Sequence, residues 1–215
     1  SHDDGALSDD EIAWLTARAV GGFGLVMTAA AFVAPAGHVW EGQLGVANDD
    51  HLPGLRRLAR NLRAAGACSS VQLHHGGRRA ERAITGMAAQ CPWDDPAHDA
   101  VAMTLDDIQL TIADFVAAAV RAEEAGFDGV ELHAAHNYII AGFLSGYYNR
   151  RDDEYGGSIE NRGRFLREVI AGVRARVGAD YPVWLRLDAY ELRTEGGITL
   201  EEAKVFARMA EQAGC

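Results

Sequence analysis

The chain has 215 residues, of which 48% are hydrophobic, and 31 acidic against 20 basic side chains give it a net charge of −11. This length suffices for one sizeable core or for a piece of a larger one, and the negative charge argues against nucleic acid and anionic membranes as partners. The chain has polar first residues, no apolar run near the roughly 20 residues that cross a bilayer, and three cysteines without metal-type spacing, so we expect a soluble cytoplasmic protein.

A capped helix, a closing glycine and a short apolar strand recur along the chain as one repeating unit. We predict helices in five places: from a capping-box spacing at Ser8 to Gly21-Gly22, from about 48 to 66, from 104 to 126, from about 158 to 178, and from 199 to 214. The strands are predicted at 24–30, 69–74, 129–133 and 183–188. Strands that alternate with helices of this length indicate βαβ units, so we predict an α/β fold with a parallel sheet.

The stretch from about 76 to 103 contains none of these predicted elements and is the longest loop of the prediction. Long loops in compact domains usually serve a function. We therefore expect this loop to contribute to a site.

Three of the predicted strands alternate between apolar and polar side chains, although a parallel sheet that is buried on both faces should be apolar on both. The apolar set is Val71, Leu73, Val130, Leu132, Val183, Leu185 and Leu187. The polar set is Gln72, His74, Glu131, His133, Trp184, Arg186 and Asp188. We expect the apolar set to face the helices and the polar set to face a shared interior. Buried polar groups need partners, so they either satisfy one another or surround a polar ligand, and the number of such strands favours a ligand.

The stretch 133–138, which reads HAAHNY, follows directly on the third predicted strand. The carboxyl ends of parallel strands are where α/β proteins build their sites. Imidazole and phenol are well suited to bind a carbonyl oxygen and to deliver a proton, so His133, His136 and Tyr138 are the predicted catalytic residues. The two histidines could instead bind a metal or be structural, but no third ligand stands out by spacing, and we predict no metal site.

Three motifs occur in order: QLHHGGR at 72–78, AGFDGVELH at 125–133 running into HAAHNY, and NRRDDEYGGSIENR at 149–162. Together they resemble the signatures of the old yellow enzyme family of flavin-dependent NADH:flavin oxidoreductases, and the resemblance covers about 8–215. It implies a (β/α)8 TIM barrel that holds FMN at the carboxyl ends of its strands. A complete barrel needs about 250 residues and eight strands. The resemblance therefore implies one partial FMN-binding domain over 1–215, with about strands 2–5, the first strand lying before Ser1 and the last three after Cys215.

The resemblance also assigns roles to individual residues. Ala30 matches the position where the backbone approaches the flavin, Gln72 the side chain that hydrogen-bonds the flavin pyrimidine ring, and Arg186 the cation beside that ring. His133 and His136 match the pair that binds the substrate's oxygen, and Tyr138 matches the proton donor. The implied reaction takes hydride from NADH or NADPH through FMN to the C=C bond of a small α,β-unsaturated carbonyl compound. A homo-oligomer is compatible with this reading.

Two departures bear on the substrate pocket: Asn137 stands where the family usually has Gly, and Ser145-Gly146 stands where it usually has Ser-Pro. Alternatives also stay open. A barrel of the same family with an iron–sulfur cluster could reduce dienoyl thioesters or oxidise amines, and a non-catalytic barrel fragment or interaction module would explain the missing strands. Arg186 could be an ion-pair member with Asp188 or Glu131, and the 149–162 motif reads mainly as structural.

Overall fold

A computed structural model describes residues 1–192 and 195–215 of the chain and confirms the α/β class, because helices pack against a parallel sheet. Within these residues the strands are β1 (Leu25–Phe32), β2 (Cys68–His74), β3 (Ala89–Cys91), β4 (Ala100–Ala102), β5 (Gly129–Ala134) and β6 (Val183–Leu187). The helices in the same ranges are α1 (Asp9–Val20), α2 (Leu52–Ala64), α3 (Arg82–Thr85), α4 (Leu105–Ala125), α5 (Ile139–Leu144), α6 (Ile159–Arg162), α7 (Arg164–Val177) and α8 (Leu200–Ala213).

Four strands form the main sheet in the order β1-β2-β5-β6, and every neighbouring pair is parallel. The register places Ala30 beside Gln72 and Gln72 beside Glu131, so these three residues lie at one level of the sheet. The register between β1 and β2 shifts between Met27 and Ala30. Such irregularities bend a strand and re-aim its side chains, and they are frequent beside active sites. All four main strands were predicted from the sequence.

The core lies between the sheet and the outer helices, as the alternation predicts. Val71, Leu73, Val130 and Leu132 are fully buried in it. Leu185 and Leu187 on β6 pack against the same core but are only partly buried, since β6 is an edge strand. The outward face of each inner strand is therefore apolar because it contacts helices, which leaves the other face for polar side chains.

Side-chain caps set the starts of α1, α4, α6 and α8. In α4 the Thr104 hydroxyl accepts from the Asp107 backbone N–H at 3.1 Å, and the Asp107 carboxylate accepts from the Thr104 N–H at 2.9 Å. Thr199 and Glu202 form the same reciprocal pair at α8. At α1 the Ser8 hydroxyl caps the helix as predicted, but the Glu11 carboxylate contacts Ser1 instead of closing the predicted box. None of the helices in the described ranges is long and apolar enough to span a membrane.

Four features correct the prediction. The loop at 76–103 contains two short parallel strands, β3 and β4, and the helical turn α3. A short helix, α5, follows HAAHNY where no helix was predicted. The predicted helix from 158 to 178 is interrupted at Gly163, and a Cβ added there would lie 2.6 Å from the Met209 sulfur of α8, so the break brings α8 close. The predicted 48–66 helix opens with the 3₁₀ turn Asp49–His51 before α2 begins.

Candidate functional site

Polar side chains from three neighbouring strands meet on the inner face of the sheet. The Gln72 Nε2 donates to Glu131 Oε1 at 2.5 Å, and Arg186 Nε donates to the same oxygen at 2.9 Å. Glu131 is buried, whereas the Arg186 side chain is 44% exposed. Of the two partners that the sequence left open for Arg186, the structure shows Glu131. One carboxylate thus holds both side chains that the family resemblance assigns to the flavin ring.

This arrangement fits a flavin pyrimidine ring. Because Gln72 donates to Glu131 through its amide nitrogen, its amide oxygen is turned away from that contact and can accept a hydrogen bond. Arg186 contributes a planar cation that reaches solvent on its outer side. An acceptor and a fixed cation side by side match the imide edge of a flavin and the negative charge it gains on reduction.

Ala30 lies beside Gln72 at the same level of the sheet and is half-buried. Its carbonyl accepts from Gln43 Nε2 at 3.1 Å, and the same nitrogen lies 3.1 Å from Nδ1 of His74. Gln43 is fixed in this orientation because its Oε1 accepts from the Val39 N–H at 2.8 Å. Gln43 was not predicted as a site residue, because it lies outside the predicted elements and carries no motif signal.

The predicted catalytic residues lie together at the carboxyl end of β5. The ring centroids of His133 and His136 are 5.1 Å apart, and the Tyr138 ring lies 5.0 Å from His133 and 6.4 Å from His136. His133 is buried, His136 is exposed and Tyr138 is half-buried. A cluster with one buried and one exposed imidazole beside a phenol can bind an oxygen that enters from the open side.

His133 is held as a neutral hydrogen-bond donor. Burial and, to a smaller extent, the nearby His136 and Arg186 together lower its pKa to about 4. Its Nδ1 accepts from the Ala135 N–H at 3.3 Å, so the neutral ring carries its proton on Nε2. A neutral imidazole with a fixed N–H can polarise a carbonyl oxygen without exchanging a proton with it.

Two further histidines surround this cluster. His74 is fully buried, and its ring lies 4.2 Å from the Tyr138 ring. Burial lowers the pKa of His75 to about 4 and that of His74 well below its usual value, with His133 and His75 lowering the latter further. The Nε2 atoms of both rings are buried without a hydrogen-bond partner among the described residues. Unpaired buried donors of this kind are rare in native structures.

The turn that carries the cluster has an unusual backbone. His136 and Asn137 both adopt positive φ angles, of 61° and 59°. Asn tolerates this left-handed region better than most residues, which explains how it can replace the Gly usual at this position. The His136 N–H donates to Asp188 Oδ2 at 2.7 Å. Asp188 was predicted to face the interior and to be a possible partner of Arg186, but its contact with this turn was not predicted.

The 149–162 motif is structural, as the sequence indicated. Asn149 Nδ2 donates to the carbonyls of Phe143 and Tyr155, both at 2.7 Å. The Tyr155 hydroxyl donates to Glu168 on α7 at 2.7 Å and accepts from Gln109 on α4. The motif thus ties the segment after α5 to two outer helices.

A cavity of about 500 Å³ lies beside this segment. It is lined among others by Arg78, Trp93, Tyr147, Tyr148 and Arg150. None of the six predicted site residues lines it, so it is separate from the HAAHNY cluster. No group of three or more His, Cys, Asp or Glu side chains suited to a metal ion occurs in the described part of the chain.

Comparison with protein families finds one match over almost the whole chain. A model described as the NADH:flavin oxidoreductase / NADH oxidase family matches residues 1–214. Among curated relatives, an NADPH dehydrogenase of Bacillus velezensis is 39% identical over 216 residues, covering 100% of this chain and 63% of that protein. An NADH oxidase of Thermoanaerobacter brockii is 41% identical over 220 residues, covering 100% of this chain and 34% of that protein.

Solved structures also match nearly the whole chain. A complex of 2-naphthoyl-CoA reductase with 2-naphthoyl-CoA is 38% identical with a TM-score of 0.92, covering 97% of this chain and 34% of that chain. An old yellow enzyme from Pichia sp. AKU4542 is 29% identical with a TM-score of 0.89, covering 100% of this chain and 62% of that chain. The chain thus spans less than two thirds of the length of these relatives. The predicted partial (β/α)8 barrel is confirmed by this match together with the observed parallel sheet.

Proposed function

Because the chain belongs to the NADH:flavin oxidoreductase / NADH oxidase family, we propose that residues 1–215 form one partial FMN-binding domain of an oxidoreductase that uses NADH or NADPH. The observation that carries this proposal is the Gln72–Glu131–Arg186 contact on the inner face of the sheet. It holds an acceptor and a cation beside a cluster of proton-donating rings. We propose a small α,β-unsaturated carbonyl compound as the substrate.

Gln72, Arg186 and the backbone of Ala30 would hold the flavin ring. When bound there, FMN would accept hydride from NADH or NADPH and pass it to the β carbon of the substrate. Glu131 fixes both polar side chains, so the edge that recognises the ring is preorganised before binding. The arginine cation stabilises negative charge at that edge.

His133 and His136 would bind the substrate's carbonyl oxygen, where negative charge develops as hydride reaches the β carbon. The neutral His133 donates from Nε2 because its Nδ1 is occupied by the Ala135 N–H. Preorganised donors of this kind contribute up to roughly 3–4 kcal/mol to the transition state. Tyr138, whose ring lies 5.0 Å from that of His133, would deliver the proton to the α carbon.

A second candidate substrate class is a coenzyme A thioester. It is favoured by the 2-naphthoyl-CoA reductase complex, which matches 97% of this chain with a TM-score of 0.92. The conjugated carbonyl of a thioester could bind between the same histidines. Amine oxidation has weaker support, from a histamine dehydrogenase of Rhizobium sp. 4-9 at 31% identity and a TM-score of 0.87. Parallel assays with 2-cyclohexenone, an enoyl-CoA and a primary amine separate the three classes.

The first test is an absorption titration of the purified chain with FMN. We expect a perturbed flavin band that saturates, and weaker binding in Arg186→Ala than in Arg186→Lys, because lysine retains the cation but loses the planar fork. Tyr190→Phe, at a side chain that is 57% exposed, is a matched surface control that should bind as the parent does. The absence of flavin binding would instead favour a non-catalytic fragment or interaction module.

The second test assigns Tyr138 and uses the protein in which this sequence completes a flavin-loaded barrel. We expect Tyr138→Phe to slow 2-cyclohexenone reduction by about 10²–10⁴-fold, the range for loss of a general acid, with flavin reduction by NADPH nearly unchanged. Stopped-flow absorbance separates the two half-reactions. Unchanged enone reduction in Tyr138→Phe would remove Tyr138 from the role of proton donor.

A further inference from the structure

Asp188 lies one residue beyond the end of β6 and contacts the turn that carries the predicted catalytic residues. Its Oδ2 accepts from the backbone N–H of His136 at 2.7 Å. A hydrogen bond to a carboxylate is shorter and stronger than one between neutral groups. The contact joins residues 52 positions apart, so it ties the end of one strand to the turn after its neighbour.

The turn needs such a constraint. Two consecutive residues, His136 and Asn137, adopt left-handed backbone angles, which cost free energy for residues with a side chain. The neighbouring backbone makes three other hydrogen bonds: the Tyr138 N–H lies 3.3 Å from the Ala135 carbonyl, the Ile139 N–H lies 3.1 Å from the His75 carbonyl, and the Gly142 N–H lies 2.8 Å from the Tyr138 carbonyl. Strained conformations persist only where surrounding groups hold them, and the Asp188 contact, at 2.7 Å, is the one that reaches the left-handed residue His136 directly.

The position of the turn determines where two of the reacting side chains lie. His136 is its first left-handed residue, and Tyr138 follows directly as the residue before α5. Arg186 pairs with His133 in the β5–β6 register, and Asp188 follows two residues later, just beyond the end of β6. One short segment of chain thus contacts Glu131 through Arg186 and the catalytic turn through Asp188.

We propose that Asp188 is a positioning residue that holds the His136–Asn137 turn, and with it the imidazole of His136 and the phenol of Tyr138, in place for reaction. The proposal rests on the roles proposed above for those two side chains. Asp188 acts through the backbone and does not touch the substrate. An asparagine, which keeps an acceptor oxygen of the same length, preserves most of the effect, whereas a leucine of similar size removes it.

The first experiment measures position without activity. NMR of the purified chain with labelled tyrosine reports the Tyr138 ring, whose shifts depend on the His74 and His133 rings at 4.2 and 5.0 Å. In Asp188→Leu we expect these shifts to move towards those of free tyrosine and the His136 amide to exchange about tenfold faster or more. Asp188→Asn should keep the ring shifts, and Asp180→Asn, at an exposed position, should change neither quantity.

The proposal is overturned if Asp188→Leu retains the parent's Tyr138 shifts and His136 exchange rate, or if Asp188→Asn rescues neither. A loss of stability alone would change the folded fraction but not the Tyr138 shift of the folded molecules. Should Asp188→Leu not fold, Asp188→Ser, whose shorter hydroxyl falls back from the His136 N–H, takes its place in the same comparison.

The second experiment separates this inference from the proposed function. In the flavin-loaded protein we expect Asp188→Leu to lower kcat for 2-cyclohexenone by about tenfold to a hundredfold, the scale of a misplacement near 1 Å, while flavin reduction by NADPH stays within about twofold. Parent-like kcat in Asp188→Leu beside a strong defect in Tyr138→Phe would overturn the positioning role alone. Parent-like kcat in Tyr138→Phe would overturn the proposed role of Tyr138, and the ring shifts would still decide whether Asp188 holds the turn.

Discussion

The Glu131 carboxylate orients the polar side chains on the inner face of the sheet. It is buried, and one of its oxygens accepts from both Gln72 and Arg186. A buried carboxylate without partners would be strongly destabilising, and here the amide and the guanidinium satisfy it together. The two side chains that would contact a flavin are therefore oriented by a third that would not.

Replacing Glu131 by leucine tests this dependence. We expect Glu131→Leu to lower the free energy of unfolding by about 1–3 kcal/mol, because the Gln72 amide loses its buried acceptor. FMN affinity should fall as well, since Gln72 and Arg186 lose their common anchor. Urea unfolding and flavin titration measure the two effects. Glu131→Gln keeps an acceptor oxygen and the side-chain volume, so a loss in Glu131→Gln as large as in Glu131→Leu would contradict the explanation.

The sequence predicted which side chains would gather, but not all of their contacts. Alternation on the strands placed Gln72, Glu131 and Arg186 on one face, and the structure shows them in contact. The contacts of Gln43, and the contact of Asp188 with the His136 N–H, were missed. Both depend on distances between segments far apart in sequence, which periodicity and motif spacing do not contain. The functional roles of the six predicted residues remain proposals.

At the scale of elements, the helix caps explain why α4 begins where it does. Thr104 and Asp107 satisfy one another's backbone N–H groups, and α4 then continues for 21 residues to Gly126, whose φ of +89° ends it. Glycine reaches this left-handed angle without the cost of a side chain. Local signals of this kind can be read directly from a sequence, and the bounds of α4 were predicted closely.

We expect Thr104→Ala to lower the free energy of unfolding by about 1 kcal/mol, the usual loss for an N-cap. The reason is that the Asp107 N–H loses its acceptor and the Asp107 carboxylate loses the Thr104 hydroxyl. Chemical denaturation measures the change. The control is Leu110→Ala on the same helix, where the side chain is 65% exposed and the change should stay within about 0.5 kcal/mol. Equal effects of the two substitutions would argue against the capping explanation.

The elements that were not predicted are either too short or too deeply buried to show a periodic pattern of apolar residues in the sequence. β3 and β4 have three residues each, too few for alternation to show. Every residue of α5 is buried, so it lacks the amphipathic period that marks a surface helix. The break at Gly163 lies against Met209 of α8, and no single-helix pattern contains that contact. Tertiary packing decided each of these cases.

At the scale of the whole molecule, the main sheet has two edge strands, β1 and β6. Near the β1 edge, Phe23 and Leu25 are 63% and 47% exposed. Unpaired edges with apolar neighbours favour association with other strands. The chain covers 63% of the Bacillus velezensis relative.

Buried histidines should make the stability of the chain depend on pH. Burial lowers the pKa of His75 from 6.5 to about 4 in the folded chain. The unfolded chain then binds a proton first, so stability is complete above about pH 6.5 and is lost as the pH falls towards about 4. Protonation of His75 alone would remove on the order of 3 kcal/mol from the free energy of unfolding between about pH 6.5 and pH 4. His74 and His133 act in the same direction.

Urea unfolding at several pH values between 7.5 and 4.5 measures this loss. In His75→Asn the amide oxygen can still accept from the Gly77 N–H, as the imidazole Nδ1 does at 3.1 Å. We expect this variant to be less stable than the parent at pH 7.5 but to lose less stability on acidification. A parallel decline of parent and variant would contradict the assignment to His75.

The polar inner face also makes the sheet less stable than an apolar inner face could. A barrel interior filled with branched aliphatic side chains packs tightly without needing any hydrogen bond. Replacing buried ionic groups by well-packed apolar ones is often neutral or stabilising. Leucine at both Gln72 and Glu131 should therefore leave the fold about as stable or more stable, while removing side chains that would recognise a flavin. The polar side chains that would bind a flavin therefore lower the stability of the fold. This is the usual trade-off between stability and activity.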